Sequence, residues 1–85
     1  MSGPPDRVNT SEALASIRRC AQAGVQILGL DGFEVVGEGY VASLDLLLDV
    51  SQQNLTPRQA AAEAEAFVRS KARKDVVWEV WTEVS

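Results

Sequence analysis

The chain has 85 residues, including eight Lys or Arg, twelve Asp or Glu, no histidine and one cysteine, for a net charge of −4. This length predicts one small domain. A single cysteine cannot form an internal disulfide, and the absence of histidine removes the imidazole on which catalytic triads and most zinc sites depend. The acidic balance is unfavourable for a nucleic-acid partner, because Lys and Arg that neutralise phosphates supply most of that affinity.

The first eight residues predict a disordered tail. Residues 1–8 are polar, include Pro4 and Pro5 and contain no apolar core segment, so they do not resemble a signal peptide. No apolar stretch approaches the roughly 20 residues that a membrane span requires. We therefore expect a single domain over residues 9–85, a cytoplasmic location and no membrane partner.

A helix is predicted directly after this tail. Asn9 or Thr10 can cap it, Glu12 occupies the capping-box position, and Gly24 is typical of a helix end. Its apolar stripe consists of Ala13, Leu14, Ile17, Cys20 and Ala21. Arg18 and Arg19 could activate Cys20 as a nucleophile, but its place on this stripe favours a small buried core residue.

A β-hairpin is predicted next. Two apolar segments, residues 25–30 and 33–36, flank the dipeptide Asp31-Gly32, which favours a tight two-residue turn. That register would place four apolar side chains on one face, namely Leu28, Leu30, Phe33 and Val35. The glycines of Gly37-Glu38-Gly39 predict a second turn.

Residues 40–51 fit either a strand or a short helix. Alternation would place six apolar side chains on one face of a strand: Tyr40, Ala42, Leu44, Leu46, Leu48 and Val50. A helical period gives a different stripe: Tyr40, Val41, Leu44, Leu47 and Leu48. Because the segment is rich in Leu, Asp and Ala and poor in β-branched residues, we predict the helix and keep the strand as the alternative.

A second long helix and a final strand complete the chain. The helix begins at Thr56-Pro57 with Gln59 at the capping-box position, and the basic run over residues 69–74 offsets its dipole at the other end. Residues 76–84 alternate as a strand. The predicted order is helix, hairpin, short helix or strand, helix, strand. We expect a two-layer α+β domain with the helices on one face of a mainly antiparallel sheet.

No motif in the chain identifies a reaction or a cofactor. The segment Asp31–Glu34 lacks the alternating acids of a calcium loop, and so does the pair Asp45 and Asp49. The glycine turns lack the lysine of a phosphate-binding loop. We therefore expect no enzyme activity, no cofactor and no metal site.

Charge pattern and one tryptophan indicate protein binding instead. Residues 20–57 contain five acids and no Lys or Arg. Trp81 lies at strand spacing between Glu79 and Glu83, and an exposed aromatic ring among carboxylates is typical of a binding hot spot; the alternative is that Trp81 is covered. The predicted partner-binding residues are Asp31, Glu34, Glu38, Tyr40, Asp45, Asp49, Glu79, Trp81 and Glu83.

The function that these observations favour is a small acidic protein-binding module. One version is an inhibitor of the immunity-protein or antitoxin kind, which masks a basic partner protein and associates rapidly through charge complementarity. The alternative is a structural or regulatory homodimer whose sheet edge or apolar sheet face pairs with its own copy. A small-ligand or metal binder is a third and weaker alternative.

Overall fold

The computed structural model describes residues 6–73 and 75–83. Its elements, in chain order, are α1 (Thr10–Ala23), β1 (Ile27–Val36), β2 (Gly39–Asp49), α2 (Pro57–Lys71) and β3 (Val76–Thr82). The strands form an antiparallel sheet in the order β2-β1-β3, and the two helices pack against each other and against the sheet. The predicted α+β class is confirmed.

Both helices begin where their capping residues predict. The Asn9 side chain accepts the Glu12 backbone N–H at 2.8 Å, and Gly24 adopts a left-handed conformation (φ 70°) at the end of α1. Thr56 and Gln59 form the reciprocal capping box of α2, with backbone-to-side-chain bonds of 2.9 and 3.1 Å. Local signals therefore fix both starts.

The predicted turn at Asp31-Gly32 is wrong. β1 runs through this dipeptide, and the hairpin turns at Gly37-Glu38, where Gly37 has φ 60°. Gly32 is required by packing, because a Cβ there would lie 2.6 Å from the Leu46 Cβ and 3.0 Å from the Trp78 ring. The later turn joins strands of ten and eleven residues, which form a longer ladder than the predicted short hairpin.

The short helix predicted over residues 40–51 is absent, because residues 39–49 form β2. The alternation of side chains along β2 is interrupted by a bulge. Asp31 pairs with Leu47 and Phe33 pairs with Ala42, so residues 43–46 all lie opposite Gly32. The bulge shifts the alternation by one residue, so Tyr40 and Ala42 before it lie on the same face as Leu47 after it. The six apolar side chains therefore do not share the single face expected of a regular strand. Pairing with β1 overrides the local preference for a helix.

The hydrophobic core lies between the helices and the sheet. Trp78 is fully buried, its indole N–H donates to the Thr10 hydroxyl at 3.1 Å, and the Phe67 ring meets it edge-on at 6.1 Å. Small residues let α1 and α2 approach closely, since Ala13, Ala60, Ala61 and Ala64 are buried between them and the sheet. The other large buried residues are Ile17, Ile27, Leu30, Leu46, Val50 and Val68.

The segment before α1 contacts the sheet at the outer edge of β3. Val8 forms an antiparallel bridge with Trp78, with N···O distances of 2.8 and 2.7 Å. The disordered tail predicted over residues 1–8 therefore does not extend through Arg7 and Val8. Its residues 1–5 lie outside the described residues.

Candidate functional site

One face of the sheet has no helix on it in the described part of the chain. This open face consists of Asp31, Phe33 and Val35 from β1, Tyr40, Ala42 and Leu47 from β2, and Val77, Glu79 and Trp81 from β3. Tyr40 is 51% exposed, Leu47 48% and Trp81 38%. Apolar side chains grouped on one exposed surface are typical of an interaction site.

Arg7 lies on the open face between two aromatic rings. Its guanidinium carbon is 4.4 Å from the centre of the Phe33 ring and 4.8 Å from that of Tyr40. Its Nε donates to the carboxylate of Glu79 at 3.0 Å, and Glu79 is buried. Cation–π contact and a partly shielded ion pair together hold this guanidinium.

Trp81 lies on the open face further along β3. Its indole N–H donates to the Asp31 carboxylate at 2.9 Å, which fixes the orientation of the ring. Its predicted neighbour Glu79 shares the face but is buried and paired with Arg7, while Glu83 follows the end of β3. Trp81 is thus half-exposed, and its nearest carboxylate partner comes from β1.

A groove of about 320 Å³ runs beside Trp81. Two carboxylates line it, those of Asp31 and Asp49. Asp49 accepts the backbone N–H and the hydroxyl of Ser51 at 2.9 and 2.7 Å, and these bonds lower the pKa of its carboxyl. Within the described ranges, neither carboxylate has a Lys or Arg partner. The apolar lining comes mainly from Leu28, Leu47, Leu48 and the Trp81 ring.

Two of the predicted acids are paired with bases near the end of α2. Asp45 accepts from Lys71 Nζ at 3.2 Å and from the Arg73 guanidinium at 3.5 Å, and Glu34 lies 3.8 Å from the same guanidinium. The basic run therefore neutralises part of the acidic stretch. Of the remaining acids, Glu38 lies in the hairpin turn. The nine predicted residues thus do not form one patch; the open face brings together Asp31, Tyr40, Glu79 and Trp81, with Asp49 at its end.

Arg7, Phe33 and Leu44 are candidates that the sequence patterns miss. The tail prediction leaves Arg7 outside the domain, and the bridge between Val8 and Trp78 that positions it is a long-range contact. Phe33 follows a false turn signal. Leu44 is 88% exposed because it lies in the bulge of β2, where it lines a second groove of about 260 Å³ on the open face. Ser43-Leu44-Asp45 alternates as a regular strand would, so the sequence carries no local sign of this bulge at these residues.

Two further kinds of site depend on the thiol of Cys20 and on groups of metal ligands. Cys20 packs against the core as expected, and burial raises the pKa of its thiol, although Arg19 opposes that shift. No three possible metal ligands come together among the residues described. The helices described are also too short or too polar to cross a membrane.

Comparison with known proteins adds no identity to this geometry. No protein-family model matches the chain, and neither a curated protein nor a solved structure matches it significantly.

Proposed function

We propose that this protein is a small, non-catalytic protein-binding module that binds a basic partner protein through the open face of its sheet. The observation that carries this proposal is the half-exposure of Leu47 and Trp81 beside the carboxylates of Asp31 and Asp49, with Tyr40 exposed further along the same face. Aromatic anchors next to charged groups are typical of the residues that dominate protein interfaces.

Binding of a partner through the open face would require both apolar contact and charge. Full burial of one large apolar side chain contributes roughly 1.5–3 kcal/mol, so covering the exposed parts of Tyr40, Leu47 and Trp81 yields about 2–4 kcal/mol. Association costs at least about 4 kcal/mol in lost translational and rotational freedom. The partner must therefore also form ion pairs, and the acidic end of the open face selects a basic one.

An inhibitor of the immunity-protein or antitoxin kind is the specific version that we propose, acting in the cytoplasm. The carboxylates of Asp31 and Asp49, which pair with no Lys or Arg among the described residues, support it, since they would steer a basic partner toward Trp81. Glu34 and Asp45 support it less, because Lys71 and Arg73 already neutralise them.

Affinity capture with matched variants tests the proposal. The tagged protein, the open-face variant Tyr40→Ser/Leu47→Ser and the control variant Ala62→Ser/Glu63→Gln would be compared in native lysate at low and high salt. Both control positions are exposed on α2. We expect a stoichiometric basic protein with the native and control chains, its loss at high salt, and little capture by the open-face variant. Equal capture by all three chains contradicts the proposal.

A homodimer is the second candidate, and Leu44 is the observation that favours it. This side chain protrudes beside the groove lined by Phe33, Ala42 and Leu47. A two-fold axis would let Leu44 of each copy enter the groove of the other. Sedimentation equilibrium over a range of concentrations tests this candidate: a dimer that resists high salt and dissociates in Leu44→Ser supports it, and a monomer throughout contradicts it.

A further inference from the structure

We propose that the groove beside Trp81 receives an arginine side chain of the partner protein. This inference rests on the proposed function and names the group that the open face recognises. Three features support it: the way the face already holds Arg7, the carboxylate of Asp31, which has no Lys or Arg partner among the described residues, and the walls of the groove.

The first feature is a guanidinium already held on this face. The Arg7 head group lies 4.4 Å from the centre of the Phe33 ring and 4.8 Å from that of Tyr40, and it bonds the Glu79 carboxylate at 3.0 Å. The open face thus combines aromatic rings and a carboxylate in the arrangement that suits a planar cation.

The second feature is the charge beside Arg7. Asp31 and Glu79 are direct cross-strand partners in the β1–β3 pairing and lie on the same face. Like charges in that position are unfavourable. Arg7 neutralises Glu79, whereas within the described residues no Lys or Arg pairs with Asp31. A second cation near Asp31 would therefore neutralise the remaining carboxylate of this cross-strand pair.

The third feature is the groove itself. The Trp81 ring and Leu47 supply apolar walls along which an arginine stem can lie, and the carboxylates of Asp31 and Asp49 can accept from its head group. The indole bond to Asp31 holds the ring in place before a partner arrives. A lysine side chain would bind more weakly, because its ammonium group is not planar and can neither stack on the indole nor donate two parallel hydrogen bonds as a guanidinium does.

The test follows the two indole N–H signals, together with the ring signals of Phe33 and Tyr40, by NMR. The probe is acetyl-arginine amide, titrated at constant ionic strength into the millimolar range, with acetyl-citrulline amide as its neutral counterpart and acetyl-lysine amide as the second cation. Trp81 reports on the groove, whereas the fully buried Trp78, bonded to Thr10, reports on the integrity of the fold.

The variants Asp31→Asn and Asp49→Asn remove charge with little change of shape, and Glu63→Gln is a charge-matched control on α2. We expect a saturable shift at Trp81 with the arginine probe, a weaker response to lysine and none to citrulline. Each groove variant should bind about fivefold more weakly, the effect of losing one exposed ion pair, and the control should bind normally.

Three results overturn the inference: no shift at Trp81, an equal shift with citrulline or in the groove variants, or shifts confined to Phe33 and Tyr40, which would place the probe in the position of Arg7. The capture experiment separates this failure from that of the proposed function. If capture depends on Tyr40 and Leu47 but the Trp81 signal does not shift, only the arginine site is refuted. A responsive Trp81 without such capture leaves the arginine site and removes the partner-binding function.

Discussion

Replacing Gly32 with alanine should destabilise the fold because the new methyl group has no room. Its ideal position lies 2.6 Å from the Leu46 Cβ and 3.0 Å from the Trp78 ring. Carbon atoms in contact are normally about 3.5–4.0 Å apart, so Leu46 would have to move by about 1 Å. The Leu46 Cβ is attached directly to the backbone of β2, and both Leu46 and Trp78 are fully buried. Neither neighbour can therefore turn aside into solvent.

Overpacking a core costs up to about 3 kcal/mol, and replacing a strand glycine regains roughly 0.5–1 kcal/mol. The expected loss in free energy of unfolding is therefore about 2–2.5 kcal/mol. In a domain of this size that corresponds to a fall of about 8–20 °C in Tm. Urea unfolding followed by tryptophan fluorescence measures it. Gly39→Ala is the control, since the nearest atom to its new methyl is the Val36 carbonyl oxygen at 3.8 Å. If Gly32→Ala is as stable as Gly39→Ala, the packing of β1 against Leu46 and Trp78 is refuted.

Three further predictions concern charged and titratable groups. Arg7→Ala should lower the free energy of unfolding because the buried Glu79 carboxylate loses its partner. We expect about 1–2 kcal/mol, less than for a fully buried pair because Arg7 is partly exposed. Urea unfolding that matches the native chain would contradict the ion pair. Cys20 should react with a thiol reagent more slowly in the folded than in the urea-unfolded chain at neutral pH, because burial raises its pKa; equal rates would contradict that burial. Ser51→Ala should raise the pKa of the Asp49 carboxyl in an NMR titration, because the hydroxyl bond that lowers it is lost, although the backbone bond from residue 51 remains. The lowered pKa adds stability at neutral pH that is lost as the pH falls through the folded-state pKa, and an unchanged titration in Ser51→Ala would contradict this assignment.

Local signals were sufficient for the helices but not for the sheet. The caps at Asn9 and Thr56 lie within three residues of the groups they bond, so their pattern is legible in the chain. The strand over residues 39–49 depends on pairing with β1, which outweighs a composition that favours a helix. The dipeptide Asp31-Gly32 resembles a turn signal, but its glycine is present for a different reason: Leu46 packs too closely against Gly32 to leave room for a side chain.

The candidate site was predictable only in part, and for the same reason. Alternation along β3 correctly placed Trp78 in the core and Trp81 on the opposite face. It could not show that Asp31 bonds Trp81, fifty positions away in the chain. Nor could it show that Asp45 is neutralised by Lys71, since ion pairs between distant segments leave no periodic trace.

The bulge of β2 bears on how this chain avoids polymerising. β2 is an eleven-residue strand at the edge of the sheet, and a straight edge of that length invites the addition of further strands without limit. Residues 43–46 interrupt the edge and place the charged Asp45 within it, while Val8 occupies part of the opposite edge along β3. Open-ended strand addition is thus hindered on both sides. In the association that we propose through the open face, contact with one partner would cover the surface and growth would stop.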